Sequence, residues 1–494
     1  MTTSPNPVRV RYAPSPTGDF HVGGARSALF DYLFARHHGG KFILRIEDTD
    51  QKRYDPDALR HLLDGLRYLG LEWDEGPEVG GDYGPYTQTE RLDTYQKYCQ
   101  QLLDAGYAYR CFCTAERLEA VRQERQKQRL TGYDRHCRLI DPAESAARAA
   151  RGESFTVRAK LPLDGEITGH DVIRGDVTFQ NANLQDSVLM KSDGIPTYHL
   201  AVVIDDHLME ISHVFRGDEW LSSLPLHLHL YNAFGWQPPV MAHLPLILNP
   251  TGKGKMSKRE GRAPNGQLLP VFVRTFQELG YLPEAMVNYL ALVGWSYDDK
   301  TEIMSRAELI ERFSLERVNP SPAVWNYDKL DYFNGYYIRR LSVEALTDRL
   351  LPYLAAAGIN INRDKLLRIT PLIQERLKTL SEAATAFQFF FVDELSDYDA
   401  AELIPQKGDA ALAFTVLQHA GEILSAVEFT HDALEAALRA EAESLGIKAG
   451  QMFQPIRVAV CGQKAAPPLF ETLAVLGKEI VLQRIKQAIG KLKR

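Results

Sequence analysis

The hydrophobic pattern at the start of the chain predicts a strand, a turn and a helix in close succession. Val8, Val10 and Tyr12 alternate with arginines, which is the two-residue period of a strand. Residues 14–18 contain two prolines and a glycine, which turn the chain. Apolar or small residues then recur at helical spacing on one face over residues 25–33. The pattern therefore predicts that a strand leads through a short turn into a helix N-terminus.

Similar patterns divide the rest of the chain into a mixed part and a helical part. Lys41–Ile46 is a second predicted strand, and Tyr198–Ile204 contains an apolar run that fits a strand buried on both faces of a parallel sheet. An amphipathic helix is predicted over residues 92–103, and Gly106 ends it. From Tyr337 onwards, leucine, alanine, glutamate and arginine recur as in a helical bundle. The predicted fold class is α/β, followed by an all-helical part.

Two stretches contain groups that suit a phosphate. His21 and Gly23 lie at the first predicted helix N-terminus, where free backbone N–H groups and the helix dipole favour an anion. Lys255–Arg259, with the sequence KMSKR, follows a loop rich in glycine and lysine. Two lysines three residues apart on such a loop can neutralise charge on a leaving pyrophosphate. Taken alone, the first stretch also fits an ordinary tight turn and the second a solvated basic loop.

Composition narrows the class of protein. The chain has 494 residues and a formal net charge of −7, so any binding of nucleic acid must use local basic patches. The N-terminal MTTSPNPVRV has no apolar run of a signal peptide, and no stretch approaches the ~20 apolar residues of a membrane span. Five cysteines without a secretion signal predict a reducing, cytoplasmic environment rather than a disulfide framework.

The two phosphate-type stretches together resemble the paired signatures of one enzyme class. HVGG at residues 21–24 and KMSKR at residues 255–259 are similar to the HIGH-type and KMSKS-type motifs of class I aminoacyl-tRNA synthetases. RYAPSPTG, GGKFILRIEDTD, GPYTQTERLDTYQKY and KMSKREG resemble the bacterial glutamyl-tRNA synthetases in particular. The resemblance covers most of the first ~330 residues and continues more loosely to the C-terminus. Gly24 departs from the wider class, which often has a second histidine there.

The resemblance implies a fold and a domain order. It implies a Rossmann-type parallel sheet split by an α+β acceptor-binding insertion and followed by an all-helical anticodon-binding domain. The implied boundaries are 1–110 and 184–245 for the two halves of the catalytic domain, 111–183 for the insertion, 246–334 for the stem-contact domain and 335–494 for the helical domain.

The resemblance also implies an activity and its partners. The expected enzyme is a cytoplasmic, monomeric ligase that uses ATP with Mg²⁺ to activate L-glutamate and transfers it to the 3′ end of tRNA(Glu). The sequence leaves open whether tRNA(Gln) is charged as well. A non-catalytic tRNA-binding paralogue and a relative that glutamylates a modified tRNA base are the alternatives. A glutaminyl enzyme is disfavoured because Arg11 and Arg216 are both present.

Family positions imply roles for individual residues. The expected catalytic and ATP-binding residues are His21, Gly23, Lys255, Met256, Ser257 and Lys258, and the expected glutamate-binding residues are Arg11, Ser15, Glu47, Tyr198 and Arg216. Two guanidinium groups facing one γ-carboxylate would favour glutamate over glutamine, because an amide there would leave buried charge unpaired. The alternative for each arginine is a structural ion pair with Asp205, Asp206 or Asp218.

The predicted insertion contains candidate ligands for a metal and for RNA. Three cysteines with a fourth residue suit a tetrahedral zinc ion, and the candidates are Cys111, Cys113 and Cys137 with Tyr133 or His136. Family members that bind zinc often have a histidine where this chain has Leu139, so the sequence leaves zinc open beside a plain core role for the cysteines. The basic residues that could line an RNA backbone are Arg122, Arg125, Lys127, Arg129, Arg135 and Arg138, although acidic residues interleave with them.

The sequence also suggests roles for an arginine in the helical part and for three histidines. Arg376 falls near the position where relatives that discriminate anticodons place an arginine against the third anticodon base, although a single arginine on a helix surface is more often solvated. His227, His229 and His243 lie among leucines and are interpreted as packing histidines, not as metal ligands.

Overall fold

The computed structural model describes residues 7–128, 132–257, 259–263 and 266–493. The chain divides into two compact units, the first formed by residues 1–275 and 286–327 and the second by residues 276–285 and 328–494. No helix within the described ranges is long and apolar enough to cross a membrane.

The strands of the described residues all lie in the first unit and are short. They are β1 (Arg9–Tyr12), β2 (Lys41–Leu44), β3 (Ala108–Cys111), β4 (Thr156–Ala159), β5 (Glu166–Asp171), β6 (Gly175–Gln180), β7 (Val188–Met190), β8 (His213–Gly217), β9 (Val240–Leu244), β10 (Ile247–Leu248), β11 (Gly261–Arg262), β12 (Leu268–Leu269) and β13 (Ala323–Val324).

The α-helices occur in both units. They are α1 (Val22–His37), α2 (Pro56–Tyr68), α3 (Leu92–Asp104), α4 (Ala115–Lys127), α5 (Pro142–Ala150), α6 (Tyr198–Leu208), α7 (Leu224–Phe234), α8 (Val273–Glu278), α9 (Pro283–Ala291), α10 (Arg306–Arg312), α11 (Tyr327–Arg339), α12 (Val343–Ala356), α13 (Arg363–Ile373), α14 (Glu382–Ala386), α15 (Ala410–Ala426), α16 (His431–Ser444), α17 (Ala449–Cys461), α18 (Leu469–Leu476) and α19 (Lys478–Leu492). Short 3₁₀ helices include Asp218–Ser223 and Gln374–Arg376.

The main sheet of the first unit confirms the predicted α/β class. Its strand order is β2-β1-β8-β9-β5-β6, and every neighbouring pair is parallel except β5 with β6. Helix α1 packs on β1, β2 and β8, while α7 packs on β5. Because helices cover this sheet, its strand residues such as Val10 and Phe42 are fully buried.

The predicted strand at Tyr198–Ile204 is wrong, because this segment is the first part of helix α6. Leu200–Ile204 are all buried, since α6 packs between α3 and α7 in one apolar cluster. A short apolar run buried on all sides has the same composition in a helix as in a central strand, so periodicity alone does not separate the two. The buried carboxylates Asp205 and Asp206 continue the helix beyond the run.

A second, antiparallel sheet joins strands from both sides of the predicted insertion boundary. Its order is β3-β4-β7, and β7 begins after residue 183, where the insertion was predicted to end. Strands β5 and β6 lie within the predicted insertion but belong to the main sheet. The sequence alone does not indicate which strands pair, because pairing depends on residues far apart in the chain.

The second unit is helical, as predicted for the C-terminal part. Helices α15, α17 and α19 pack on one another around an apolar core. On the last helix, Val481, Ile485 and Ala488 form a buried apolar stripe. Arg484, next to that stripe, is also buried, and its guanidinium donates to the carbonyl oxygens of Val460, Phe389 and Val392.

Candidate active site

The turn after β1 places an imidazole at the start of α1. His21 is the residue before the first helical turn, and its Nδ1 accepts a hydrogen bond from the backbone N–H of Gly23 at 3.0 Å. Because Nδ1 is the acceptor, the ring proton belongs on Nε2. A Cβ on Gly23 would lie 2.8 Å from the His21 ring, so glycine is needed here for the histidine to cap the helix.

A cavity of about 1050 Å³ lies at the carboxyl ends of β1 and β8, where ligands bind in open α/β sheets. The predicted site residues that line it are Arg11, Ser15, His21, Glu47, Tyr198 and Arg216. Of the predicted site residues that the structure describes, Gly23, Lys255, Met256 and Ser257 are not part of the lining. Lys258 lies outside the described residues.

Residues 271–273, which follow the lysine-rich stretch, lie beside the first turn in one wall of the site. The chain that follows the lysines returns beside α1, where the N–H of Val22 donates to the Val271 carbonyl and the N–H of Val273 to the Phe20 carbonyl, both at 2.9 Å. Phe272 pairs with His21 and lines the cavity. Two segments more than two hundred residues apart therefore border the same pocket.

Arg11 is part of the cavity wall and of a buried cluster of ion pairs. It lines the cavity, and it also forms the alternative ion pair with Asp206, at 2.8 Å from Nε and 3.2 Å from Nη2. Arg45 pairs with the same carboxylate at 2.8 Å and with Glu47 at 3.1 Å. Burial raises the pKa of Glu47 to about 7, although the charges of Arg45 and Arg11 oppose that rise.

Arg216 is bound by histidines and not by the carboxylates considered as alternatives. Its Nε donates to Nε2 of His243 at 2.9 Å, and its Nη1 lies 3.0 Å from Nδ1 of His227. His243 Nδ1 lies 2.6 Å from the Asp171 carboxylate. The packing interpretation of His227 and His243 is therefore incomplete, because both rings also bind Arg216. No pattern in the sequence indicates this contact, because the pairing of Arg216 with His243 depends on the register of β8 and β9.

Tyr198 and two residues that the sequence did not single out complete the walls. The Tyr198 ring lies 4.5 Å, centre to centre, from that of Trp220, and both line the cavity. Lys191 also lines the cavity and donates to the Thr49 carbonyl at 3.0 Å. Burial raises the pKa of Tyr198, so its hydroxyl stays protonated and able to donate.

The three cysteines of the insertion come together with Tyr133. Their sulfur atoms lie within 4.8 Å of one another, and the Tyr133 hydroxyl lies 3.3 Å from Cys111 Sγ and 3.4 Å from Cys113 Sγ. Cys113 and Cys137 sulfurs are 3.5 Å apart. Thiolates on one tetrahedral zinc ion at ~2.3 Å would lie roughly 3.8 Å apart, so this spacing fits such an ion.

The residues predicted to contact RNA lie on the surface or form ion pairs within the protein. Arg122 and Lys127 on α4 pair with glutamates of the same helix, whereas Arg138 pairs with buried Asp186. Arg376 is exposed at the end of a short 3₁₀ helix in the second unit. Arg129 lies outside the described residues.

Comparison with known proteins agrees with this fold. Residues 7–332 match the family described as tRNA synthetases class I (E and Q), catalytic domain, and residues 345–489 match an anticodon binding domain. The chain is 52% identical to a glutamate–tRNA ligase of Roseiflexus castenholzii, over 98% of this chain and 96% of that protein. It is 49% identical to the glutamate–tRNA ligase of Chloroflexus aurantiacus, over 100% of this chain and 99% of that protein.

A solved structure shows the same architecture. The crystal structure of a glutamate tRNA ligase from Elizabethkingia meningosepticum, in complex with its amino acid, matches with a TM-score of 0.88 and 37% identity, over 99% of this chain and 100% of that one. The catalytic fold is thus that of a class I tRNA synthetase. Within this class, the chain belongs to the family of the glutamate–tRNA ligases.

Proposed function

We propose that this protein is a glutamate–tRNA ligase that activates L-glutamate with ATP and transfers it to the 3′ end of tRNA(Glu). One observation supports this most directly. A single cavity joins a helix N-terminus capped by His21 to two buried arginines, Arg11 and Arg216, and to the carboxyl group of Glu47. The helix N-terminus with His21 suits phosphates. The two arginines and Glu47 suit an amino acid with an acidic side chain.

The phosphates of ATP would lie against the start of α1. There the helix dipole favours negative charge and His21 Nε2–H would donate to a phosphate oxygen, while the lysines of the KMSKR stretch would neutralise the leaving pyrophosphate. Mg²⁺ would enter with ATP, because this ion is held mainly by substrate phosphates with one or two carboxylates. Asp19 and Asp50 in the cavity wall are carboxylates of the required kind.

Glutamate would lie between the arginines that bind its side chain and the carboxylate that binds its amino group. Arg216 and Arg11 bind the γ-carboxylate, and Glu47 binds the α-ammonium group. The α-carboxylate then attacks the α-phosphorus in line, forming glutamyl-adenylate and releasing pyrophosphate. A ribose hydroxyl of the tRNA 3′ end next attacks the activated carbonyl and releases AMP. Positioning and charge stabilisation carry both steps without a nucleophile from the protein.

Zinc and the tRNA contacts complete the proposal. The sulfur spacing supports a zinc ion bound by Cys111, Cys113, Cys137 and the Tyr133 hydroxyl, and it favours Tyr133 over His136 as fourth ligand because that hydroxyl is already among the sulfurs. Bound zinc would fix the local chain as a structural ion.

Arg376 is proposed to contact the anticodon. A monomer in the cytoplasm remains our expectation.

Aminoacylation of purified tRNA(Glu) and tRNA(Gln) with labelled glutamate and ATP tests this function. We expect labelled tRNA(Glu), and the tRNA(Gln) reaction decides whether the enzyme discriminates between the two. Absence of glutamate-dependent charging of either tRNA would reject the proposed function. Labelled glutamine, supplied in a parallel reaction, should not be attached, because its amide cannot satisfy the two guanidinium groups.

A further inference from the structure

The guanidinium group of Arg216 is only partly satisfied by its neighbours. Nε and Nη1 donate to ring nitrogens of His243 and His227, at 2.9 Å and 3.0 Å. Nη2 is buried and has no hydrogen-bond partner among the described residues, although Arg216 lines the cavity. A buried cationic donor without a partner is costly unless a ligand supplies the acceptor.

The donor-only character of arginine determines the protons of its neighbours. Because Arg216 can only donate, Nε2 of His243 and Nδ1 of His227 must both be unprotonated acceptors. The proton of His243 then belongs on Nδ1, which lies 2.6 Å from the Asp171 carboxylate. The proton of His227 belongs on Nε2, which lies 3.1 Å from Nδ1 of His199. One chain of hydrogen bonds therefore runs from Asp171 through Arg216 to His199.

The surroundings favour these neutral imidazoles. His227 and His243 are 3% and 0% exposed. Burial lowers the pKa of His227 well below its usual value, and the charge of Arg216 lowers it further. Burial also lowers the pKa of His243, against the opposing effect of Asp171. Both rings thus remain acceptors near neutral pH.

We propose that His227 and His243 are positioning residues that hold two nitrogens of Arg216 and so direct the third, Nη2, at the side-chain carboxylate of the substrate. Asp171 acts one step further away, since its carboxylate selects the tautomer of His243 that can accept from Arg216. Neither histidine lines the cavity, so neither is expected to touch the substrate itself. This inference rests on the proposed function, because it needs glutamate as the amino acid.

Substitution of each histidine by leucine and by an amide residue tests the proposal. His243→Leu and His227→Leu remove an acceptor and should raise the KM for glutamate about tenfold or more, with a smaller change in kcat and in the KM for ATP. They should also reduce the preference for glutamate over glutamine. His243→Gln and His227→Asn restore an oxygen acceptor near the lost nitrogen, and they should recover much of the glutamate KM.

The measurement is ATP–pyrophosphate exchange by the full chain with tRNA(Glu) present, with glutamate and ATP titrated separately. The control is His229→Leu. His229 lies on the same helix as His227, but its Nε2 is 2.9 Å from Oδ1 of Asn181 and it does not bind Arg216. The KM of this variant for glutamate should not change. If a leucine variant does not fold, Asp171→Asn provides a second test, because a neutral amide holds the proton on Nδ1 of His243 less strongly than the carboxylate does and should also raise the glutamate KM.

Two results would overturn the proposal. One is a glutamate KM that stays within about twofold of the unsubstituted enzyme in every folded variant at positions 171, 227 and 243. The other is an equal rise of the KM values for glutamate and ATP without rescue by the amide residues, which would indicate a general structural defect. If the unsubstituted enzyme itself shows no glutamate-dependent exchange, the proposed function fails, which is a separate outcome.

Discussion

Lys255 Nζ lies 2.5 Å from Oε1 of Glu219, so an ion pair joins the KMSKR stretch to the 3₁₀ helix that follows β8. Glu219 precedes Trp220, which lines the cavity. Both charged side chains are more than 40% exposed, at 43% and 44%. An exposed pair of this kind contributes ~0–1 kcal/mol, which is small enough for the lysine to exchange the carboxylate for a phosphate.

Glu219→Gln should therefore make Lys255 more available to ATP. If the lysine must leave Glu219 to bind phosphate, loss of the pair should lower the KM for ATP by up to about fivefold. Titration of ATP in the exchange assay measures this effect. A raised KM for ATP would instead mean that the glutamate itself contributes to binding.

Lys258→Ala should reduce amino-acid activation by ~10²-fold or more, because it removes a charge that stabilises the leaving pyrophosphate. Binding of tRNA, measured separately by filter retention, should change little. Lys253→Ala is a matched control, since Lys253 is an exposed lysine of the same loop outside the KMSKR stretch. Near-normal exchange by the Lys258 variant would reject the role proposed for this lysine.

The sequence predicted most of the fold, and its failures have physical causes. The turn at residues 14–21 and the helix after it were predicted correctly, because prolines, glycine and helical periodicity act locally. Helix α6 was predicted as a strand, because an apolar run enclosed on all sides has no amphipathic signature. Helices α3 and α7 enclose this segment, and such tertiary contacts are not visible in its local sequence.

The candidate site was predictable in its residues but not in its contacts. The resemblance to the family predicted Arg11 and Arg216 as site residues, and both line the cavity. The partners of Arg216 could not be named, because His243 reaches it only through the register of two parallel strands. Long-range partners of this kind leave no periodic or spacing signal in a single sequence.

Gly23→Ala should weaken the start of α1. The added Cβ would meet the His21 ring at 2.8 Å and displace it from the Gly23 N–H, with a loss of about 0.5–2 kcal/mol of unfolding free energy. The KM for ATP should rise as well, because the imidazole moves. Gly490→Ala is the control, since its Cβ would meet nothing within 4 Å and alanine favours a helix, which should stabilise by roughly 0.5–1 kcal/mol. Because alanine also favours the helix at position 23, the difference between the two variants measures the capping role, and equal changes of unfolding free energy in both would contradict it.

Glu47 should make glutamate binding depend on pH. Because burial raises its pKa to about 7, the ionised form that binds an ammonium group forms mainly above that pH. The KM for glutamate should fall about tenfold between pH 6 and 8, as the ionised fraction rises. Glu47→Gln should have a high KM that is nearly independent of pH over the same range.

The same raised pKa predicts a stability effect of opposite sign. The folded state holds the proton of Glu47 more tightly than the unfolded state, so this group favours folding fully below pH ~4.5 and loses that contribution as the pH rises through about 7. The substrate-free enzyme should therefore lose stability relative to Glu47→Gln across this window. Urea denaturation of both proteins at several pH values measures the difference, and a difference that does not vary with pH would contradict the raised pKa.

The cysteine cluster should hold about one zinc ion per chain when the protein is purified without chelators. Tyr133→Phe removes the proposed fourth ligand and should lower zinc affinity tenfold or more, whereas Cys137→Ser removes a thiolate and should empty the site. Cys99→Ala is the control, because Cys99 belongs to a different apolar cluster. Metal analysis after dialysis against a graded zinc buffer measures each affinity. If the unsubstituted protein takes up no zinc, then the cysteines form only a small buried core, and Tyr133→Phe should leave metal content unchanged.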